Sequence, residues 1–336
     1  LPALKQELEW LHACRPQEGM SAPLELAYLA AQLAYSNHTG QAFFDETRRI
    51  LELTNQLYAE DATLCCHTHL HLAVSCTNRF AFQEAREIMR PWANMPPEIP
   101  GLQMWARVQS TLGQLEAFER RPAMAIEYFD MAMDAFSRLS DSALAAREQR
   151  HTGTYRAIAL MDVPHANPDD VLRAVAFVTG ELSEAVDKLS VSNQDADKFA
   201  HHLLVRFLAL HPAGEPWRKR YCEQGKNWQT GEGHPWPLIV FYRGMMIKDS
   251  APEAAMACFE YAVEGANEGG PILQWMALVM ARAAEKAGFP VSAPIRDECE
   301  LTQVLPSLIP IATSPDFRLP DSWRLLLDLA LPFNFH

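Results

Sequence analysis

The sequence contains no uncharged apolar run of about 18 residues, so nothing in it reads as a membrane-crossing helix. Cys-x-x-Cys pairs are also missing. The seven cysteines (Cys14, Cys65, Cys66, Cys76, Cys222, Cys258 and Cys299) are odd in number in a chain of 336 residues. That usage reads as reduced thiols serving mostly as small core residues, and a cytoplasmic location is expected. Positive charge is in short supply: 29 Lys and Arg stand against 42 Asp and Glu, a net charge of −13. A nucleic-acid surface or an anionic membrane would call for the opposite balance. The start, Leu1-Pro2-Ala3-Leu4-Lys5, has no apolar core of the signal-peptide kind. It has no initiator Met either, so a chain that is processed or, by preference, cut from a longer protein is expected. Low-complexity tracts are absent, and no Gly-x-Ser-x-Gly elbow supports a serine esterase.

What is present is helix-forming sequence. Hydrophobic residues make up 49% and charged residues 21%, enough to build a core and to set disorder aside. A single core stops growing at about 250–300 residues, which leaves two domains or an array that grows in one dimension. Strand signals are scarce before residue 300. Segments of 12–18 residues carry apolar positions at helical spacing, separated by breaks with Pro, Gly, Asn or Asp. In Met104–Leu139, the stretch Met104–Glu119 reads as one helix, Glu119-Arg120-Arg121 as a tight break, and Pro122 as the start of a second helix. Ala125, Phe129, Ala132 and Phe136 form one stripe of that second helix, with small residues allowing close approach and phenylalanines filling the space between.

Leu112-Gly113 followed by Ala125, Phe129 and Ala132 resembles the tetratricopeptide repeat signature, in which Leu-Gly lies in the first helix and Ala-x-x-x-Phe-x-x-Ala in the second. Gln109 occupies the place of the family's early aromatic. A second copy runs through Leu72-Ala73, Ala85, Met89 and Trp92 to Pro97, and a third through Gly244, Ala255, Phe259 and Ala262. The resemblance covers about a third of the chain and the repeat length is irregular. It implies an all-α fold, a right-handed α-solenoid of antiparallel helix pairs. Residues 1–300 are expected to form the repeat array and 301–336 a C-terminal cap that shields its end. Further helices are expected at Ala22–Ser36, Gln41–Tyr58, Ser142–Met161, Pro168–Leu189, Asp195–Leu210, Glu215–Asn227, Pro271–Ala287 and Ser322–Leu331. Long loops are expected at Asn94–Gly101, Gln229–Pro237 and Pro306–Pro320.

Three places invite a chemical reading. In Cys65-Cys66-His67-Thr68-His69-Leu70-His71, His67 and His71 share a helix face and can hold two corners of a metal site. No His-Glu-x-x-His pattern supplies a general base, and the preferred reading is a half-buried helix with Cys65, His69, Leu72 and Cys76 on the packed face. His201-His202, below Asp195 and Asp197, lacks the His-Asp pair of a metal phosphohydrolase and reads as polar flanks to a core of Phe199, Leu203 and Phe207. Glu215–Lys248 interleaves Trp217, Arg218, Arg220, Trp228, Trp236 and Arg243. Such a segment can pin an irregular loop to the core, grip a protein or peptide, or stack on a nucleotide. The methionines, from Met124 to Met280, are expected mostly on core stripes.

The function expected from this is a scaffold. A partner peptide or helix would lie on the concave face lined by first helices, touching exposed Gln103, Arg107, Gln114 and Arg243. Trp217, Arg218, Arg220, Trp228 and Trp236 are the other expected contacts, with no cofactor and no catalytic residue. The alternatives are a sensor or regulatory arm of a larger multidomain protein, and a metal-dependent enzyme built on the Cys/His cluster.

Overall fold

A computed structural model describes residues 21–35, 40–78, 81–191, 198–224, 236–267 and 271–292. Among the described residues there are 14 α-helices and no strand. In chain order they are α1 (Ala22–Tyr35), α2 (Gly40–Leu57), α3 (Ala62–Asn78), α4 (Phe82–Ala93), α5 (Leu102–Phe118), α6 (Pro122–Ser137) and α7 (Ser142–Met161). There follow α8 (Pro168–Thr179), α9 (Leu182–Leu189), α10 (Lys198–Leu210), α11 (Glu215–Gln224), α12 (Pro237–Ile247), α13 (Pro252–Asn267) and α14 (Pro271–Lys286). The expected Ser322–Leu331 helix, the Pro306–Pro320 loop and the cap lie outside the described residues, as does nearly all of the expected Gln229–Pro237 loop.

Local chemistry sets the helix ends. Pro122, Pro168 and Pro237 open α6, α8 and α12, where a missing N–H costs nothing. The Asp141 carboxylate accepts from the backbone N–H groups of Ala143 and Leu144, both at 3.0 Å, and caps α7. The expected Pro168–Leu189 helix is two helices. Gly180 takes φ +86°, which ends α8, and the Glu181 carboxylate then caps α9 by accepting from Glu184 N–H. Arg120 occupies the left-handed region at φ 64° in the tight α5–α6 turn.

Packing follows a regular rule. Each helix packs on the next in sequence across α1 to α9, and again from α10 to α14. A second set of contacts joins α3 to α5, α5 to α7, α7 to α10 and α10 to α12, so these five form a central row. The helices that alternate with them, such as α4, α6, α8 and α13, pack on the row through one face. In α4 that face is Ala85, Met89 and Trp92; in α6 it is Ala125, Phe129 and Ala132; in α13 it is Ala255, Phe259 and Ala262, all buried. These are the three stripes that carry the repeat signature. A fully buried phenylalanine contributes about 1.5–3 kcal/mol, so each stripe is a substantial part of the local stability.

The signature glycines explain how closely the paired helices approach. A Cβ added at Gly113 would lie 2.7 Å from the Phe129 ring, and one at Gly244 would lie 2.7 Å from the Phe259 ring. The same contact thus recurs in two distant pairs, with a phenyl ring lying directly on the backbone of the facing helix.

Candidate partner-binding surface

Three helices of the central row, α5, α10 and α12, are buried almost all round. In α5 every residue from Ala106 to Ala117 is buried, polar side chains included. In α10 the run from Ala200 to Leu208 is buried, and in α12 the run from Pro237 to Gly244. A helix covered on every side needs partners for its polar groups, because burying one without a hydrogen bond costs about 1–3 kcal/mol.

Much of that need is met across the row. Arg107 Nη2 donates to Glu148 Oε1 at 2.6 Å, tying α5 to α7 through an ion pair in which both residues are buried. Glu148 also receives Arg147 Nη2 at 3.1 Å. The Ser110 and Thr152 hydroxyls meet at 3.2 Å across the same pair of helices. On α3, His67 faces this seam: burial, and after it the Arg107 charge, lowers its pKa. His67 Nε2 and His71 Nε2 are 3.2 Å apart, with the rings nearly perpendicular. The carbonyl oxygen of Gln114, 2% exposed on α5, has no hydrogen-bond partner among the described residues.

A second cluster gathers α10, α11 and α12. Arg243 Nε donates to Tyr221 Oη at 2.8 Å, and Tyr221 Oη lies 2.6 Å from His201 Nε2. Arginine cannot accept, so the Tyr221 oxygen receives the Arg243 hydrogen while the phenol also meets the His201 imidazole. The Arg243 guanidinium also sits over the Tyr221 ring, 5.4 Å from its centroid. Burial lowers the Arg243 pKa to about 10 and raises that of Tyr221 to about 12, so the pair remains cation and neutral phenol at neutral pH. With Tyr221 1% exposed, the cluster is sealed from any substrate and serves to lock three helices together.

The expected contact residues fall into distinct settings. Gln103 is half-buried, whereas Arg107, Gln114 and Arg243, expected to be exposed, are buried. The reason is the same for all three: first helices are covered by their row neighbours as well as by their own pair. Trp217 and Trp236 are half-buried against the core. Arg218 Nε donates to the Leu208 carbonyl at 2.7 Å, and exposed Arg220 pairs with Asp187. Arg218 also lines a cleft of about 500 Å³ between α11 and the end of α12, with Lys219, Cys222, Glu223, Met246 and Ile247. Trp228 lies outside the described residues.

The remaining expectations resolve as follows. Cys65, Leu72 and Cys76 are buried, with His69 half-buried beside them. Burial raises the thiol pKa of Cys66 to about 12 and pushes those of Cys65, Cys222 and Cys258 up, which suits packing and not nucleophilic chemistry. His201 and His202 are fully buried, not flanking, and Phe199 is the half-buried member of that set. Met276 and Met280 are core residues, but Met124 and Met131 are exposed. Among the described residues, no group of three or more His, Cys, Asp or Glu is placed to hold a metal, and no helix is long and apolar enough to cross a membrane. The chain matches no family model, and no curated protein or solved structure is significantly similar to it.

Proposed function

We propose that this chain is a protein-interaction scaffold of the tetratricopeptide type, a right-handed solenoid of antiparallel helix pairs whose first helices present a groove to a peptide or helix. The observation that carries the reading is the central row. First helices contact first helices, second helices pack outward through an Ala/Phe face, and the same Gly-on-Phe contact recurs in two pairs. An array of this kind offers an extended surface in place of a single cavity, and extended surfaces suit polypeptides.

Recognition would fall to half-buried Gln103 at the start of α5, with the α11–α12 cleft lined by Arg218, and exposed Arg220, as a second contact region. The test begins with a pull-down from the native source, followed by titration of the purified partner against Gln103→Ala, Arg218→Ala and Arg220→Ala. Circular dichroism checks that each variant keeps its helix. The reading expects at least a tenfold loss of affinity in one or more folded variants. Wild-type affinity in every folded variant would refute the surface assignment.

A further inference from the structure

The paired imidazoles of α3 have a geometry that a half-buried helix does not require. His67 and His71 stand one turn apart with their Nε2 atoms 3.2 Å from each other and their rings 88° apart. Two nitrogens bound to one ion at ~2.0–2.1 Å, subtending about 100–110°, are separated by about 3.1–3.4 Å. The helix therefore holds both lone-pair positions at the separation of a metal chelate. Neither ring is sealed, as both are only half-buried.

We infer that His67 and His71 form a bidentate site for a divalent transition ion that favours imidazole, with Cu(II) held more tightly than Ni(II) or Zn(II). No net proton need be released. One ring now donates its Nε2 hydrogen to the other, and on metal binding that ring carries its hydrogen on Nδ1, leaving both Nε2 lone pairs for the ion. His69 does not join, because its Nδ1 is held by the Cys65 carbonyl at 2.7 Å and its ring packs on Trp92. Cys65 does not join either, as its thiol donates to the Tyr58 carbonyl. Among the described residues the ion thus has two protein ligands. Among the described residues no carboxylate joins the pair in the way that Mg(II) and Ca(II) demand, and the neighbouring Arg107 charge disfavours ions held by charge alone. The order of affinity follows from the general preference of nitrogen sites.

The test uses the full chain without a histidine tag and the metal ions alone. Calorimetric titration with Ni(II) and with Zn(II) should show one site per chain. Electron paramagnetic resonance of the Cu(II) form should show two nitrogen ligands. Single variants His67→Gln and His71→Gln, each confirmed as folded by circular dichroism, should weaken binding at least tenfold, and Mg(II) should not bind. No stoichiometric binding to the wild-type chain, or undiminished binding by the His67→Gln/His71→Gln double variant, would overturn the assignment.

Discussion

Replacing Gly113 by alanine tests the packing that underlies the whole array. In an isolated helix this change is favourable by about 1 kcal/mol. Here the new Cβ would lie 2.7 Å from Phe129 Cε1 and 3.1 Å from the Ala125 carbonyl oxygen. Carbon atoms in contact prefer about 3.5–4.0 Å, so the overlap with the ring approaches ~1 Å. Phe129 is fully buried and cannot swing clear, which leaves a retreat of α6 from α5 as the only relief. Overpacking of this kind costs about 1–3 kcal/mol. The expected net result is a loss of about 1 kcal/mol, and up to about 2. Gly244→Ala should behave alike, since its Cβ meets Phe259 at the same 2.7 Å. Gly265→Ala is the control: its Cβ would meet only Pro237, at an ordinary 3.4 Å, and it should gain a few tenths to ~1 kcal/mol. Urea denaturation followed by far-ultraviolet circular dichroism measures all three. A Phe129→Leu change should cost less in the Gly113→Ala background than in the wild type. Stability of Gly113→Ala equal to or above wild type would refute the close approach of α5 and α6.

Other consequences can be checked in the same assay. Tyr221→Phe removes the hydroxyl that receives Arg243 and meets His201 Nε2, so a loss of about 1–3 kcal/mol is expected with no loss of helix content at 25 °C. Glu148→Ala removes the carboxylate paired with the buried Arg107 charge and should cost about 3–5 kcal/mol, while the double change Arg107→Met/Glu148→Leu should cost clearly less. His211 supplies a pH dependence: its Nδ1 accepts the Ala213 N–H, and burial, followed by the Arg206 charge, lowers its pKa. A base with a lowered folded pKa binds fewer protons folded than unfolded. Its stabilisation is complete above the ordinary histidine value of about 6.5 and is lost as pH falls below it. His211→Asn keeps a capping acceptor that does not titrate, so melting curves from pH 7.5 to 5 should fall less steeply than in the wild type.

The second-helix stripes were legible because a residue pattern facing one neighbour repeats at helical spacing. Ala125, Phe129 and Ala132 are buried as that pattern implies, and so are their counterparts in α4 and α13. The first helices were not legible in the same way. Arg107, Gln114, Arg243, His201 and His202 are polar, and a polar residue on a helix reads as solvent-facing unless its partner is known. The partners lie far along the chain: Glu148 is 41 residues from Arg107, Tyr221 is 22 from Arg243, and His201 is 42 from Arg243. No local window contains them. The break at Gly180 was missed because an isolated glycine is tolerated inside helices; only its positive φ shows that it ends one. The four-residue spacing within the Cys/His segment, in contrast, located His67 and His71 correctly as neighbours on one face.

Among the described residues, the substantial helix contacts reach no farther than three helices along the chain. Load applied to the two ends of such a molecule has no distant clasp to break. Stretched between a bead and a surface, it should lengthen through many small, nearly equal steps at low force, each the release of one pair of adjacent helices, and refold readily when slackened. A protein built in this way yields like a spring.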